Sequence, residues 1–284
     1  MRKKSLPLFT LLSGVGLLSL LASCAKEKEV VPSNPSGSAA QDALVEQAYP
    51  GKVGAIGAGH LFGRPVYFQK INGELVYQGD ILLTPEQVSD RTARTESAGR
   101  NTNRWTGATV YYTIDPALPS QNRVTDAINH WQANTPVRFV KRTTQANYIT
   151  FRVGSGCSSN IGMVGGRQYI NLAAGCTTGN NIHEIGHALG LFHEQTRNDR
   201  DDYVTINFGN IQAGYENNFA KYSAQGISGT DFGALDFGSI MMYGSNSFSS
   251  NGLPTIVKKD GSTYSIQRNG LSDGDKSGVD IMYE

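Results

Sequence analysis

The chain has 284 residues, a formal net charge of +1 and 17% charged residues. That length fits one or two domains with a sizeable core, and the balanced charge gives no electrostatic footing for a nucleic-acid partner. With 33 glycines, the composition points to a turn-rich chain rather than a helical bundle.

Arg2, Lys3 and Lys4 precede an apolar run from Leu6 to Leu21 that is broken by Pro7, Gly14 and Gly16. A charged start and a short, interrupted apolar stretch read as an export signal and not as a membrane span. Leu21-Ala22-Ser23-Cys24 resembles a bacterial lipobox, so residues 1–24 are expected to be a signal peptide with Cys24 as the lipidation site. Plain signal-peptidase cleavage near Ser23 is the alternative; export is expected in both cases, and membrane attachment only through Cys24. In an oxidising compartment Cys157 and Cys176 pair by default, closing a loop of about twenty residues.

Residues 25–50 are polar or small with few large apolar side chains, which predicts a flexible tether. From 51 to about 88 the chain is glycine-rich with strand-like pieces at Val66-Tyr67-Phe68 and Glu74-Leu75-Val76-Tyr77. Residues 89–104, SDRTARTESAGRNTNR, carry four arginines and almost nothing to bury, so they read as an exposed connector open to proteolysis.

The main domain begins near Trp105. TVYYTI (109–114) is a strand by composition, and residues 119–134 read as a helix with Val124, Ala127, Ile128 and Trp131 on one stripe. His130, beside that stripe, is expected to be a satisfied structural histidine. VRFV (137–140), YITFRV (148–153) and QYINL (168–172) are further strands. Helix and strand mix without a regular βαβ repeat, which predicts an α+β fold. After residue 204 the chain is rich in Gly, Asn, Ser and Asp and is expected to be irregular until its last ten residues.

Three of the five histidines fall in HEIGHALGLFHEQTRNDRD, residues 183–201. His183 and His187, four apart, share one face of a helix and can bind one Zn²⁺ through ring nitrogens. Glu184 then projects beside the metal as a general base, and Asn180 or Asn181 is placed to cap the helix. His193 cannot remain on the same helix and reach the ion, but Gly190 can adopt positive φ, end the helix and turn the chain back. Spacing, base and turn residue therefore agree on one catalytic zinc per chain held by His183, His187 and His193.

Together with the Glu194-to-Asp201 continuation and Ser239-Ile240-Met241-Met242-Tyr243 further on, this motif resembles the metzincin peptidases, and among them the astacin family. The resemblance implies a two-lobed catalytic domain over 101–284 with a mixed twisted sheet, an active-site helix and an irregular C-terminal lobe, ending with that domain. It implies Met241 as the Met-turn methionine beneath the zinc, Tyr243 as the tyrosine that assists at the oxyanion, and a Cys157–Cys176 disulfide. Met242 stands where the family commonly has histidine.

Tyr77-Gln78-Gly79-Asp80-Ile81 is similar to the segment by which astacin propeptides close the zinc site. It implies a small propeptide over 51–100, Asp80 as the latency ligand, maturation within 91–104, and Glu194 as the partner of the new amino terminus. Substrates would be proteins or peptides lying extended along an edge strand, with QYINL as the candidate, and the enzyme is expected to be a monomer. The rival reading is a zinc-bound surface scaffold without catalysis, which would have no use for Glu184. Asp273, Asp275, Ser277, Gly278 and Glu284 fall at calcium-loop spacings, but Asp280 occupies a normally apolar position, and no calcium is expected there.

Overall fold

The computed structural model describes residues 45–61, 64–89, 103–225 and 230–284. The signal peptide with Cys24, most of the tether and most of the arginine-rich connector lie outside the described residues. Among the described residues, nine strands form one mixed sheet in the order β1-β2-β3-β4-β8-β9-β7-β5-β6. The first four are β1 (Ala55–Leu61), β2 (Arg64–Ile71), β3 (Glu74–Tyr77) and β4 (Ile81–Leu83). They run antiparallel to one another and are followed by a short helix, α1 (Pro85–Ser89).

The rest of the sheet is β5 (Thr109–Ile114), β6 (Arg138–Lys141), β7 (Tyr148–Val153), β8 (Cys157–Asn160) and β9 (Arg167–Leu172). Strands β6, β5, β7 and β9 are mutually parallel, whereas β8 is antiparallel to β9. Parallel neighbours need long crossovers, and α2 (Asn122–Asn134) supplies the one between β5 and β6. The predicted helix thus begins three residues later than expected; its stripe of Val124, Ala127, Ile128 and Trp131 is buried as expected.

The edge assignment needs correction. QYINL lies in β9, inside the sheet between β7 and β8. The strand at the boundary is β8, and β4 pairs with it in parallel, placing Ile81 opposite Ser159 and Leu82 opposite Asn160. Asn160 Nδ2 also donates to Leu82 O at 2.7 Å. Residues 55–83 therefore extend the main sheet, with β4 covering the edge of β8.

Beneath the sheet, α2 packs on α3 (Thr178–Leu189), with Trp131 Nε1 donating to Ile182 O at 3.1 Å. Their apolar faces meet Val110, Ile149, Phe151 and Ile170 from the strands in one core. A second core, in the C-terminal part, gathers Phe219, Met242, Tyr243, Phe248 and Tyr264. That part is built from single turns, a two-stranded ribbon of β10 (Val204–Ile206) with β11 (Ile256–Lys258), and the last helix α4 (Asp273–Tyr283). The architecture is α+β with an irregular C-terminal region, as expected. Cys157 and Cys176 are disulfide-bonded, tying β8 to the turn that leads into α3.

The tether expectation fails at its end. Val45, Glu46 and Ala48 are buried: Val45 joins the C-terminal core, and Glu46 is half of a buried ion pair with Arg268. Composition missed this because a single buried carboxylate with one distant partner leaves no pattern in a polar segment.

Candidate metal centre

Helix α3 starts at Thr177 rather than at either candidate asparagine. The Thr177 side chain accepts from Asn180 N–H, and Asn180 Oδ1 accepts from Thr177 N–H at 2.7 Å, a reciprocal capping box. Asparagine at the third helical position takes the place that Glu or Gln usually fills. At the other end Gly190 has φ 109°, and its N–H and that of Leu191 close onto carbonyls of the last turn. A side chain at 190 would be strained in that region, so the turn that brings His193 back depends on glycine.

His183, His187 and His193 are buried and face one another, with ring centroids 4.7, 4.7 and 5.3 Å apart. Each Nδ1 faces an acceptor and therefore carries the proton. His183 donates to Ile240 O at 2.8 Å, His187 to Leu191 O at 2.8 Å, and His193 to Gln78 Oε1 at 3.1 Å. That leaves three Nε2 lone pairs converging on one point. Asp80 completes the set, with Oδ2 3.2 Å from the Nε2 atoms of both His183 and His193, and Oδ1 3.5 Å from that of His187. The four ligand atoms lie within 4.8 Å of one another.

Three neutral imidazoles and one carboxylate are a zinc donor set. His187 Nε2 and Asp80 Oδ1 have no hydrogen-bond partner though fully buried, an arrangement that a shared ion resolves. Burial opposes ionisation of His193 and pushes its pKa down to about 4, keeping the ring neutral.

Glu184 is fully buried beside this cluster, and neither carboxylate oxygen has a partner. Burial, and then the charges of Asp80 and Glu46, raise its pKa well above the usual carboxylate value. The Tyr243 ring lies against His193, centroids 4.5 Å apart and tilted by 54°, and its hydroxyl donates to Gln78 O at 2.5 Å. Gln78 thus supports both His193 and Tyr243 from the segment that carries Asp80.

Met241 lies under the cluster. A Cβ on Gly186 would come within 2.8 Å of Met241 Sδ, so the helix rests on the methionine at that position. The turn is pinned by a residue whose role the calcium-loop spacing hid. Asp275, the third residue of α4, accepts from Ser239 Oγ–H at 2.7 Å, Ile240 N–H at 2.9 Å and Ser272 N–H at 2.9 Å. Residues 273–283 are helical, so that spacing forms no calcium loop. His130 is structural as expected: its Nε2 accepts from Leu271 N–H at 2.9 Å.

Glu194 accepts from Asp236 N–H at 2.9 Å and lies 3.4 Å from Arg197 Nη1. Burial nevertheless dominates and raises its pKa to about 7. It lines a cavity of about 70 Å³ shared with Asp236, Ser239 and Asp275.

Three histidines on a helix and its returning turn, with Asp80 and an unpartnered Glu184 beside them, make a zinc-binding site. Residues 97–284 match the model of the astacin peptidase family, and the chain belongs to that family. It is 38% identical over 230 residues to Blastula protease 10 of Paracentrotus lividus, covering 73% of this chain and 38% of that protein. It is 36% identical over 257 residues to Flavastacin of Elizabethkingia meningoseptica, covering 78% and 56%. The chain thus spans well under two thirds of the length of these relatives. Among solved structures, high choriolytic enzyme 1, a hatching enzyme zinc-protease from Oryzias latipes, matches with TM-score 0.60 and 31% identity over 66% of this chain and 98% of that one.

Proposed function

We propose that this protein is an exported zinc endopeptidase made as a latent precursor. The observation that carries the reading is the convergence of three Nε2 atoms and the Asp80 carboxylate beside an unpartnered Glu184. His183, His187 and His193 hold the zinc, which when bound supplies Lewis acidity to a water molecule and to the scissile carbonyl. Glu184 accepts the water proton as oxygen adds to the carbonyl carbon. It then delivers that proton to the amide nitrogen as the C–N bond breaks, leaving a carboxylate and an amine. The Tyr243 hydroxyl, released from Gln78 O, donates to the developing oxyanion.

In the latent chain Asp80 occupies the coordination position that water needs, and β4 lies on the β8 edge that substrate needs. Cutting within 91–104 would release both. The new amino terminus would enter the cavity beside Glu194, whose buried carboxylate gains an ammonium partner. Cys24, if lipidated, lies on the propeptide side of that cut, so maturation would separate the catalytic domain from its anchor.

The test uses the full chain with cobalt in place of zinc. The uncut wild-type and Asp80→Ala chains should differ in their visible ligand-field spectra, and casein should be hydrolysed by either only after the connector is cut, because β4 still covers the β8 edge. Identical cobalt spectra of the two uncut chains would remove Asp80 from the metal.

A further inference from the structure

One face of the main sheet packs on α2 and α3; the other carries a band of arginines and tyrosines. Ile149, Phe151 and Ile170 join the helices in the core, so the alternate residues Tyr148, Thr150, Arg152 and Tyr169 stand on the opposite face of β7 and β9. Arg167 is the register partner of Tyr148 across that pair of strands. Arg142, just past β6, holds its guanidinium 4.0 Å from the centre of the Tyr148 ring. Those of Arg152 and Arg167 lie 3.7 and 5.2 Å from the centre of the Tyr169 ring. Arg142, Tyr148, Arg167, Tyr169 and Arg152 thus form one continuous band in which cations and rings alternate.

The forks are oriented from within the protein but hardly neutralised. Arg142 Nε donates to Gln145 O at 2.8 Å and Arg152 Nε to Asn171 Oδ1 at 2.6 Å. Among the described residues, Arg152 alone of the three has a carboxylate within ion-pair distance. That is Glu74 at 3.9 Å, which also accepts from Tyr49 O–H at 2.8 Å. In a chain of net charge +1, three closely set guanidiniums with one distant acid make a local excess of positive charge. Such a surface is complementary to a polymer that carries regular negative charge.

The chemistry of the band separates the polymer classes. Bases bind by stacking on open ring faces, and here a guanidinium already lies over each ring. A peptide gains main-chain hydrogen bonds only at a strand edge, whereas β7 and β9 each have a strand on both sides. A lipid surface needs apolar side chains that insert, and the band is guanidinium and phenol. A sugar polymer fits: its anionic groups meet the forks, and its hydroxyls meet the phenols and the Thr113 and Thr150 hydroxyls, themselves 2.9 Å apart on the same face.

We propose that this face binds a linear acidic polysaccharide, one bearing carboxylate or sulfate groups, and so holds the protein on such a matrix away from its metal centre. The experiment uses the full chain, zinc-loaded and uncut, and reads affinity for immobilised polymers. Polygalacturonate, with carboxylates alone, or dextran sulfate, with sulfates alone, should bind at least about tenfold more tightly than neutral dextran, and the one that does identifies the anion. Added NaCl should weaken that binding steeply. Replacing Arg142, Arg152 and Arg167 together by Gln should cost about tenfold or more. The same charge change at Lys258, Lys259 and Lys276 in the C-terminal region should cost about threefold or less. Glu74→Gln, which frees Arg152, should tighten binding by about twofold to fivefold.

Equal affinity of the parent protein for acidic and neutral polymers overturns the proposal, and that comparison requires no variant to fold. Equal losses from the arginine and lysine replacements, in variants that keep their Tm and zinc, overturn the location. Tighter binding to poly-glutamate, single-stranded DNA or anionic vesicles than to either acidic polysaccharide overturns the partner. Hydrolysis plays no part in the readout, so the result is independent of the peptidase reading.

Discussion

Asp275→Ala tests whether the floor of the metal centre is held from α4. The Asp275 carboxylate accepts three hydrogen bonds, from Ser239 Oγ–H, Ile240 N–H and Ser272 N–H. Ile240 O in turn accepts from His183 Nδ1, so the clamp is two links from a zinc ligand. Bonds to a charged acceptor are each worth about 1.5 kcal/mol or more net, and the burial that raises the Asp275 pKa offsets part of their sum, so the substitution should cost about 3 kcal/mol. At about 2–4 °C per kcal/mol for a domain of this size, Tm should fall by about 10 °C. Asp275→Asn, whose amide oxygen can keep two donors, should fall by about half as much. Asp273→Ala is the control: its side chain is fully exposed, and only a small, solvent-screened charge effect at the helix terminus is at stake. Calorimetry on the zinc-loaded chain reads all three. A drop below about 2 °C for Asp275→Ala, less than the loss of one such bond would give, or equal losses at 273 and 275, would refute the clamp.

Other consequences follow from the same structure. Replacing both Cys157 and Cys176 by serine removes a cross-link between residues 19 apart and should destabilise the chain by about 3 kcal/mol, read from urea unfolding with its zinc content monitored. His130 has its pKa lowered by burial and then by Lys276, and in the folded chain its Nε2 accepts from Leu271 N–H. A depressed histidine pKa contributes stability above the unfolded value near 6.5, lost as pH falls through the folded value. His130→Gln should therefore narrow the Tm difference between pH 7.5 and pH 5, and an unchanged difference contradicts that role. Glu194→Gln should cost the cut enzyme at least tenfold in activity while leaving the Tm of the uncut chain nearly unchanged, since an ammonium partner arrives only after cutting. Equal Tm losses before and after cutting would speak against that pairing.

What could be read from the sequence was local or strongly periodic. The α2 stripe, the strand at 109–114 and the chelating helix each repeat at the spacing of one element, and Gly190 marks the turn that the third histidine requires. What escaped depends on pairing across long separations. QYINL reads only as a short strand, and its place inside the sheet is set by β8 reversing direction beside it. The N-cap moved to Thr177 because Asn180 points back to it, a choice among neighbouring polar residues that propensity cannot rank. Asp275 falls at a calcium-loop spacing where no calcium is expected, and that spacing says nothing of the serine and amide it meets 36 and 35 residues earlier in the chain. Glu46 was hidden for the same reason, one acidic residue in a polar stretch with its arginine 222 residues away.

The most direct test of the central claim is casein hydrolysis by the connector-cut chain beside Glu184→Ala, with bound zinc quantified in both. Zinc at one ion per chain in both proteins, and hydrolysis by the Glu184 protein alone, is the predicted result. Folded protein that binds no zinc, or hydrolysis undiminished in Glu184→Ala, would contradict it.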